Sequence, residues 1–127
     1  MSRSELYDEL EELLAAQEAN LPENVRLVRQ AHRAQLNGES AQAAALFEEA
    51  VAKGRREPGV LLDLARVYLE LAQPAQAVTT LEEALRLEND SLQARSIHLA
   101  LSQAHEALGH QEEARRHYQA YQQGTGL

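Results

Sequence analysis

The chain has no cysteine and no tryptophan, and aromatic residues make up only 4% of its 127 residues. Without cysteine, a disulfide framework, a thiolate zinc site and a cysteine nucleophile are excluded. With so few aromatic side chains, a hydrophobic core must be built mainly from leucine and alanine, which are strong helix formers. These absences favour a helical protein, and the lack of cysteine fits a reducing compartment.

Positive charge is scarce, and long apolar runs are missing. Lysine and arginine number 12 against 20 aspartates and glutamates, which gives a formal net charge of −8 at pH 7. Nucleic acids and anionic membrane surfaces both require concentrated positive charge, so we expect neither as a partner. No stretch approaches the roughly 18–20 apolar residues of a membrane span, and acids interrupt the region where a secretory signal would be apolar. We therefore expect a cytoplasmic protein.

Proline and glycine are also sparse, and they divide the chain into segments of helical length. Between them, apolar residues recur every three or four positions, as in amphipathic helices. This pattern predicts an all-α protein with helices at 3–19, 24–37, 41–53, 58–72, 74–88, 91–108 and 111–123. Ser2 and Glu5 form a capping box for the first helix, and Pro58 and Pro74 stand where first turns begin.

Several positions recur at a spacing of 34 residues. Ala43 and Ala77 are 34 apart, and the segment EEAV at 48–51 recurs as EEAL at 82–85. The next unit follows at an offset of 37, as from Ala77 to Ala114, because of a three-residue insertion near Leu92. A period in this range is typical of stacked helical repeats. The alternative, a plain antiparallel bundle, does not account for the recurrence.

The recurring residues resemble the tetratricopeptide repeat family, whose pattern places Leu, a small residue and Tyr on a first helix and Ala and Phe on a second. The middle repeat matches it through Leu61, Leu64, Ala65, Tyr68, Ala77, Leu81 and Ala84. The first repeat reads Leu27, Gln30, Ala31, Ala34, Ala43, Phe47 and Ala50. The third reads His98, Leu101, Ser102, His105, Ala114, Tyr118 and Tyr121. The resemblance covers about residues 24–123 and implies a right-handed α-solenoid of three helix-turn-helix repeats at 22–57, 58–91 and 92–123.

Both ends of such a stack need a polar or covered face. Residues 1–21 carry leucines along one side of their helix, so we expect this segment to cap the first repeat; a dimerisation helix is the alternative. At the other end, Arg115 and Gln122 replace Val78 and Leu85 of the middle repeat. The third repeat therefore reads as terminal, followed by a flexible tail at 124–127.

In this family the first helices line a concave groove, where equivalent positions form rows and a partner protein binds. The candidate groove residues are Val28, Arg29, His32, Gln35, Leu62, Asp63, Arg66, Leu69, Leu99, Gln103 and Glu106. We expect Val28, Leu62 and Leu99 to form an exposed apolar stripe that receives a peptide or helix. Arg66 would hold a carboxylate of the partner. The alternative is that the stripe packs within the stack or is filled by the chain itself.

Some members of the family grip the C-terminal carboxylate of heat-shock chaperones with Lys, Asn, Asn, Lys and Arg. The corresponding positions here hold Val28, His32, Asp63, Ser96 and Ala100. None of them matches, and Asp63 would repel a carboxylate. This role is therefore not expected, and Arg29 could simply pair with Asp63 on the next repeat.

No motif for catalysis or cofactor binding is present. There is no phosphate-binding glycine loop, and no serine has a definable His/Asp partner. His105 and His110 are five residues apart, whereas the zinc motif H-E-x-x-H needs four on one helical face. Same-helix pairs among His98, His105, His110 and His117 are seven apart, or ~10 Å along the axis, too far to share a metal. We expect no catalytic residue, no cofactor and no metal.

The sequence therefore favours a non-catalytic adaptor that binds a peptide or helix of another protein. One alternative is a small chaperone that shields an amphipathic segment of an exported protein, similar in repeat count and helical N-terminus to those of type III secretion. A second alternative is a self-assembly or scaffold module, with a homodimer formed through the N-terminal helix or the groove.

Overall fold

The computed structural model describes residues 2–124, which fold into seven α-helices without a strand. The helices are α1 (Arg3–Ala19), α2 (Glu23–Leu36), α3 (Ser40–Ala52), α4 (Pro58–Glu70), α5 (Pro74–Leu87), α6 (Ser91–Ala107) and α7 (Gln111–Gln123). They confirm the seven predicted helices, and each end lies within two residues of its predicted position. Within the described part, no helix is long and apolar enough to cross a membrane. Of the predicted tail at 124–127, only Gly124 is among the described residues.

Three helical hairpins, α2–α3, α4–α5 and α6–α7, stack in chain order. Small residues lie where the helices of a hairpin cross, and Ala31, Ala43, Ala65 and Ala77 are all 0% exposed. Larger side chains fill the space beside these crossings and between hairpins. The largest fully buried ones are Phe47, Leu61, Leu81, Ile97, Leu101 and Val67. The result is the predicted all-α solenoid of three helix-turn-helix repeats.

The three hairpins turn in the same way. Each turn places one residue in the left-handed region: Gly38 at φ 77°, Ala72 at φ 57° and Gly109 at φ 80°. The amide that follows donates to the carbonyl five residues earlier, at 2.8 Å in all three turns (Glu39 to Ala34, Gln73 to Tyr68, His110 to His105). This is the Schellman geometry that ends a helix, and it normally requires glycine. The middle hairpin is the exception, because it holds an alanine.

Polar side chains also connect successive hairpins. The Tyr68 hydroxyl on α4 donates to Glu48 Oε2 on α3 at 2.9 Å. Burial, followed by this hydrogen bond and the charge of Glu48, raises the pKa of Tyr68 to about 12. Ser40 Oγ, at the start of α3, donates to Glu70 Oε2, at the end of α4, at 2.9 Å. These bonds help to position α4 on the first hairpin.

The N-terminal helix differs from its expected role as a cap. The side chains of Leu6, Leu10, Leu13 and Leu14 are 50–63% exposed, and α1 buries no residue at all. Its C-terminal end approaches α2, where Glu18 forms an ion pair with Arg33. The predicted capping box is confirmed, since Ser2 Oγ accepts from the Glu5 amide and the Glu5 carboxylate accepts from the Ser2 amide.

The physical reason lies in the first repeat. Val60, Leu64 and Val67 are buried on α4, and the equivalent residues of α6, Ile97, Leu101 and Ala104, are buried as well. The equivalent residues of α2 are Arg26, Gln30 and Arg33. Because this end of the stack is already polar, it offers little apolar surface on which the leucines of α1 could pack.

Replacing Ala72 by glycine should stabilise the protein by about 1 kcal/mol, because an L-residue in the left-handed region costs about 1–2 kcal/mol that glycine avoids. Urea denaturation followed by circular dichroism measures the change. The matched control is Gly38→Ala, which should destabilise by a similar amount, since a Cβ there would meet nothing within 4 Å and only the backbone is strained. The explanation by backbone strain requires that the change in the free energy of unfolding has opposite signs in the two variants.

Truncating a leucine of α1 should have little effect on stability. Leu10→Ala is expected to change the free energy of unfolding by less than about 0.5 kcal/mol, because the side chain is half exposed. Leu61→Ala makes the same chemical change at a fully buried site and should cost roughly 2–5 kcal/mol. Comparable costs for the two variants would show that α1 does cover the first repeat.

Candidate functional site

The first helices of the three repeats, α2, α4 and α6, lie side by side. His32 Nε2 on α2 lies 2.9 Å from Asp63 Oδ2 on α4. On the other side of α4, a Cβ added to Gly59 would lie 3.0 Å from Gln93 Nε2 of α6, so glycine permits a close approach there. These contacts bring α4 next to α2 on one side and to α6 on the other, with His32 and Asp63 in direct contact.

The predicted apolar stripe on this surface is mostly buried. Leu62, its expected centre, is only 4% exposed and belongs to the hydrophobic core. Val28 and Leu69 are partly buried against that core, and Leu99 is half-buried. The expectation that Leu62 points freely into the groove is wrong. Because α4 is the middle first helix, it has neighbours on both sides, and these enclose its side chain.

The exposed side chains of the groove are charged or polar. Asp63 contacts two of them. Its Oδ2 faces His32 Nε2, and its Oδ1 lies 3.7 Å from Arg66 Nη1, one turn further along α4. Arg66 remains 48% exposed. Arg29 is exposed and, within residues 2–124, forms no ion pair, so the expected Arg29–Asp63 pair is not formed. The surface thus presents two accessible guanidinium groups.

A cleft of about 440 Å³ lies between α4 and α6, next to Arg66. Its walls are Gly59, Leu62, Asp63, Arg66, Asp90, Leu92, Gln93 and Ser96. Asp90 caps α6, since its Oδ1 accepts from the Leu92 amide at 2.9 Å. Sequence reasoning missed Asp90, Leu92 and Gln93 as wall residues. Their capping position was recognisable, but the three-residue insertion near Leu92 removes them from the rows that relate one repeat to the next.

Leu62, Asp63 and Arg66 are the three candidate groove residues among the walls of this cleft, and the other eight lie outside it. Glu106 lines a separate cleft of about 450 Å³ at the free end of the third repeat, together with Ser102, Gln111, Ala114, Arg115 and Tyr118. Gln35 is half-buried near the end of α2, and Gln103 is exposed on α6. Among residues 2–124, no three metal-ligating side chains are placed to hold a metal ion together.

The family model described as tetratricopeptide repeat matches residues 34–97, just over half of the chain. The chain belongs to the tetratricopeptide repeat family. The match spans α3, α4 and α5 together with parts of α2 and α6. It therefore contains α4, the central helix of the groove.

Solved structures show the same fold. The second tetratricopeptide repeat domain of Spaghetti (RPAP3), bound to the HSP90 peptide SRMEEVD, is 15% identical with a TM-score of 0.71, covering 84% of this chain and 95% of that one. The globular C-terminal domain of P. aeruginosa LpoP is 27% identical with a TM-score of 0.69, covering 82% and 96%. MamA is 14% identical with a TM-score of 0.71, covering 80% of this chain and 54% of its own. No curated protein matches the chain.

Introducing a charge at Leu62 should destabilise the protein strongly. Leu62→Glu is expected to cost at least about 3 kcal/mol, because it places an unpaired carboxylate in the core. Leu92→Glu, in the wall of the same cleft but 67% exposed, should cost less than about 0.5 kcal/mol. Thermal melting of both variants measures the difference, and a fully stable Leu62→Glu protein would contradict the burial described here.

Proposed function

We propose that this protein is a non-catalytic adaptor that binds a segment of a partner protein across its first helices. The observation that carries the proposal is the pair of accessible guanidinium groups, Arg29 and Arg66, on neighbouring first helices of a tetratricopeptide repeat stack. A guanidinium binds a carboxylate through two parallel hydrogen bonds, which fixes both position and orientation. The partner segment would therefore carry acidic side chains spaced to reach α2 and α4.

Arg66 is the better placed of the two. It borders the cleft between α4 and α6, so a side chain of the partner could enter the cleft while a neighbouring carboxylate pairs with the arginine. Its contact with Asp63 is long, at 3.7 Å, and joins exposed groups, so exchanging it for a partner carboxylate costs little. Asp63 keeps His32 as a second partner at 2.9 Å.

The bound peptide of one structural neighbour does not transfer directly. Spaghetti (RPAP3) is described with an HSP90 peptide, but it shares only the fold with this chain, at 15% identity. At the positions where a carboxylate clamp is expected, this chain has Asp63, and Ala100, which is buried. A terminal carboxylate held at that point would face a negative charge. We therefore place the acidic groups of the partner at Arg29 and Arg66.

The same surface favours an adaptor over a chaperone for apolar segments. The residues that could shield an apolar chain, Leu62 above all, are enclosed in the core, and the accessible side chains are charged. A polar surface of this kind selects a partner by complementary charge and hydrogen bonding. It does not provide the broad apolar patch that a shielding chaperone needs.

Site-specific photo-cross-linking in the cells that produce the protein tests the proposal. A photoreactive residue at 32, 99 or 103, which leaves both arginines in place, should capture the same partner protein, because all three positions lie on the first helices. The control position is 76, which is exposed on α5, a second helix. A partner captured equally from position 76, or from none of the three groove positions, would contradict binding on this face.

The captured partner then permits a quantitative test with purified proteins. Arg66→Ala should weaken binding by roughly 1–3 kcal/mol, the usual value of a hydrogen bond to a charged group, while Gln76→Ala leaves the affinity unchanged. Isothermal titration measures both, with melting curves as the control for folding. The loss should shrink at high salt, because a pair of exposed charges is screened. An unchanged affinity in Arg66→Ala would exclude this arginine as the anchor.

A further inference from the structure

Four of the five histidines form one continuous chain of imidazole rings between α6 and α7. His98 Nδ1 lies 2.9 Å from His117 Nδ1, and His105 Nδ1 lies 3.1 Å from His110 Nδ1. The rings of His117 and His105 join the two pairs by stacking, with centroids 5.6 Å apart and planes 3° apart. The order of contacts is thus His98, His117, His105, His110.

This chain of rings occupies the interior of the third hairpin. The equivalent residues of the middle repeat are Leu61, Tyr68, Gln73 and Thr80, which do not titrate near neutral pH. His98 is buried, His105 and His117 are half-buried, and His110 is exposed at the start of α7. Where the second hairpin is closed by packing and neutral polar groups, the third is closed by four groups that can each take up a proton.

The two nitrogen–nitrogen contacts restrict how many protons the closed hairpin can hold. Each contact needs one N–H donor and one bare nitrogen as acceptor, as in two neutral imidazoles or in a neutral ring beside a protonated one. Two protonated rings would point N–H at N–H across 2.9 or 3.1 Å, and both contacts would become repulsive. An open hairpin has no such limit and can protonate all four rings.

The charged groups around the cluster come from two helices. Glu113 and Arg116 face it from α7, and Glu82 faces it from α5. Burial, then the neighbouring His98 and His105 and the charge of Arg116, lower the pKa of His117 to about 4, against the opposing attraction of Glu113. Burial and then His110 lower the pKa of His105, although both carboxylates oppose the shift. Burial is the largest cause in both cases.

We propose that this chain of four histidines is a proton-sensitive latch, which holds α7 against α6 while its rings are neutral and releases α7 on acidification. The latch is built from the third repeat alone and does not depend on the partner proposed above. The fifth histidine of the protein, His32, lies on α2 in the first repeat and takes no part in the latch.

The direction of the pH dependence follows from proton binding. In the open hairpin the rings titrate near 6.5, whereas His117 in the closed hairpin titrates near 4. Between these values the open state binds more protons, so the stability of the closed hairpin falls as the pH falls through this window. Well above pH 6.5 His117 is neutral in both states, and the latch contributes its full stability.

Amide hydrogen exchange of the full-length protein at pH 7 and pH 5 tests the latch locally. After correction for intrinsic exchange rates, protection in α7 should fall about tenfold more than protection in α3, which has no histidine. Equal losses in α3 and α7 would indicate general acid destabilisation and would overturn the proposal. So would α7 protection that does not change between the two pH values.

Two variants assign the effect to the histidines. The double variant His98→Leu and His117→Thr takes its residues from the middle repeat, and it should lose the additional fall in α7 protection. The matched control His32→Gln should retain it, because that histidine lies outside the chain of rings. Survival of the additional fall in the double variant would overturn the latch.

A direct titration keeps the test decisive if the double variant does not fold. The ring C2–H signals of the unaltered protein, followed by nuclear magnetic resonance, should show His117 titrating well below 6.5. A pKa for His117 at or above 6.5 would contradict the latch, because the closed hairpin would then bind protons as readily as the open one.

Discussion

Close approach of the two helices within each hairpin is the constraint on which the rest of the structure depends. Helices approach to ~8 Å only where the side chains between them are small. Ala65 and Ala77 meet this condition in the middle repeat and are wholly buried. Once the hairpin is closed in this way, Leu61 and Leu81 fill the space beside the crossing, and the hairpin presents a continuous face on which the next one stacks. The row of first helices is a consequence of that stacking.

Polar residues occupy the terminal faces at both ends of the stack. At the start, arginine and glutamine occupy the positions that are valine and leucine in the middle repeat, and Arg33 pairs with Glu18 instead of packing on an apolar helix. At the other end, Arg115 stands where Val78 packs in the middle repeat, and it pairs with Glu112 at 2.5 Å. A solenoid whose terminal faces are polar does not need an added helix to keep its core dry. The leucines of α1, which are 50–63% exposed, therefore contribute little to closing this end.

The helices, their turns and the core were predictable from the sequence, because the 34-residue spacing relates each repeat to the next. The exposure of individual groove residues was less predictable. Rows of equivalent positions identify which face of a helix a residue occupies, but its burial depends on how many neighbours that helix has. Leu62 on the middle helix is enclosed, whereas Leu99 in the same row on α6 is only half-buried. Asp63 and Arg66, one turn apart on α4, remain accessible on one surface because charged side chains stay in contact with water at helix edges.

The contact between His98 and His117 shows a second limit of reasoning along one helix. These residues are 19 positions apart, so a search for histidines spaced on one helical face does not pair them. The repeat offset could have done so, because Leu61 and Thr80, at the equivalent positions, belong to the two facing helices of the middle hairpin. Contacts across a hairpin follow from the register of its two helices, and the repeat alignment contains that register.

Helix α6 belongs both to the groove and to the chain of histidines, but different side chains hold it on its two sides. Ile97 and Leu101 hold α6 in the core that it shares with α4 and α5, while His98 and His105 hold it against α7. Gln93 and Ser96, which form a wall of the cleft beside Arg66, lie near the start of α6. Release of α7 leaves the first support in place, because the buried side chains of α6 toward the second hairpin do not titrate. The position of α6 beside α4 therefore depends on apolar packing that does not titrate, whereas the proposed latch lets protons move the outer helix of the third repeat.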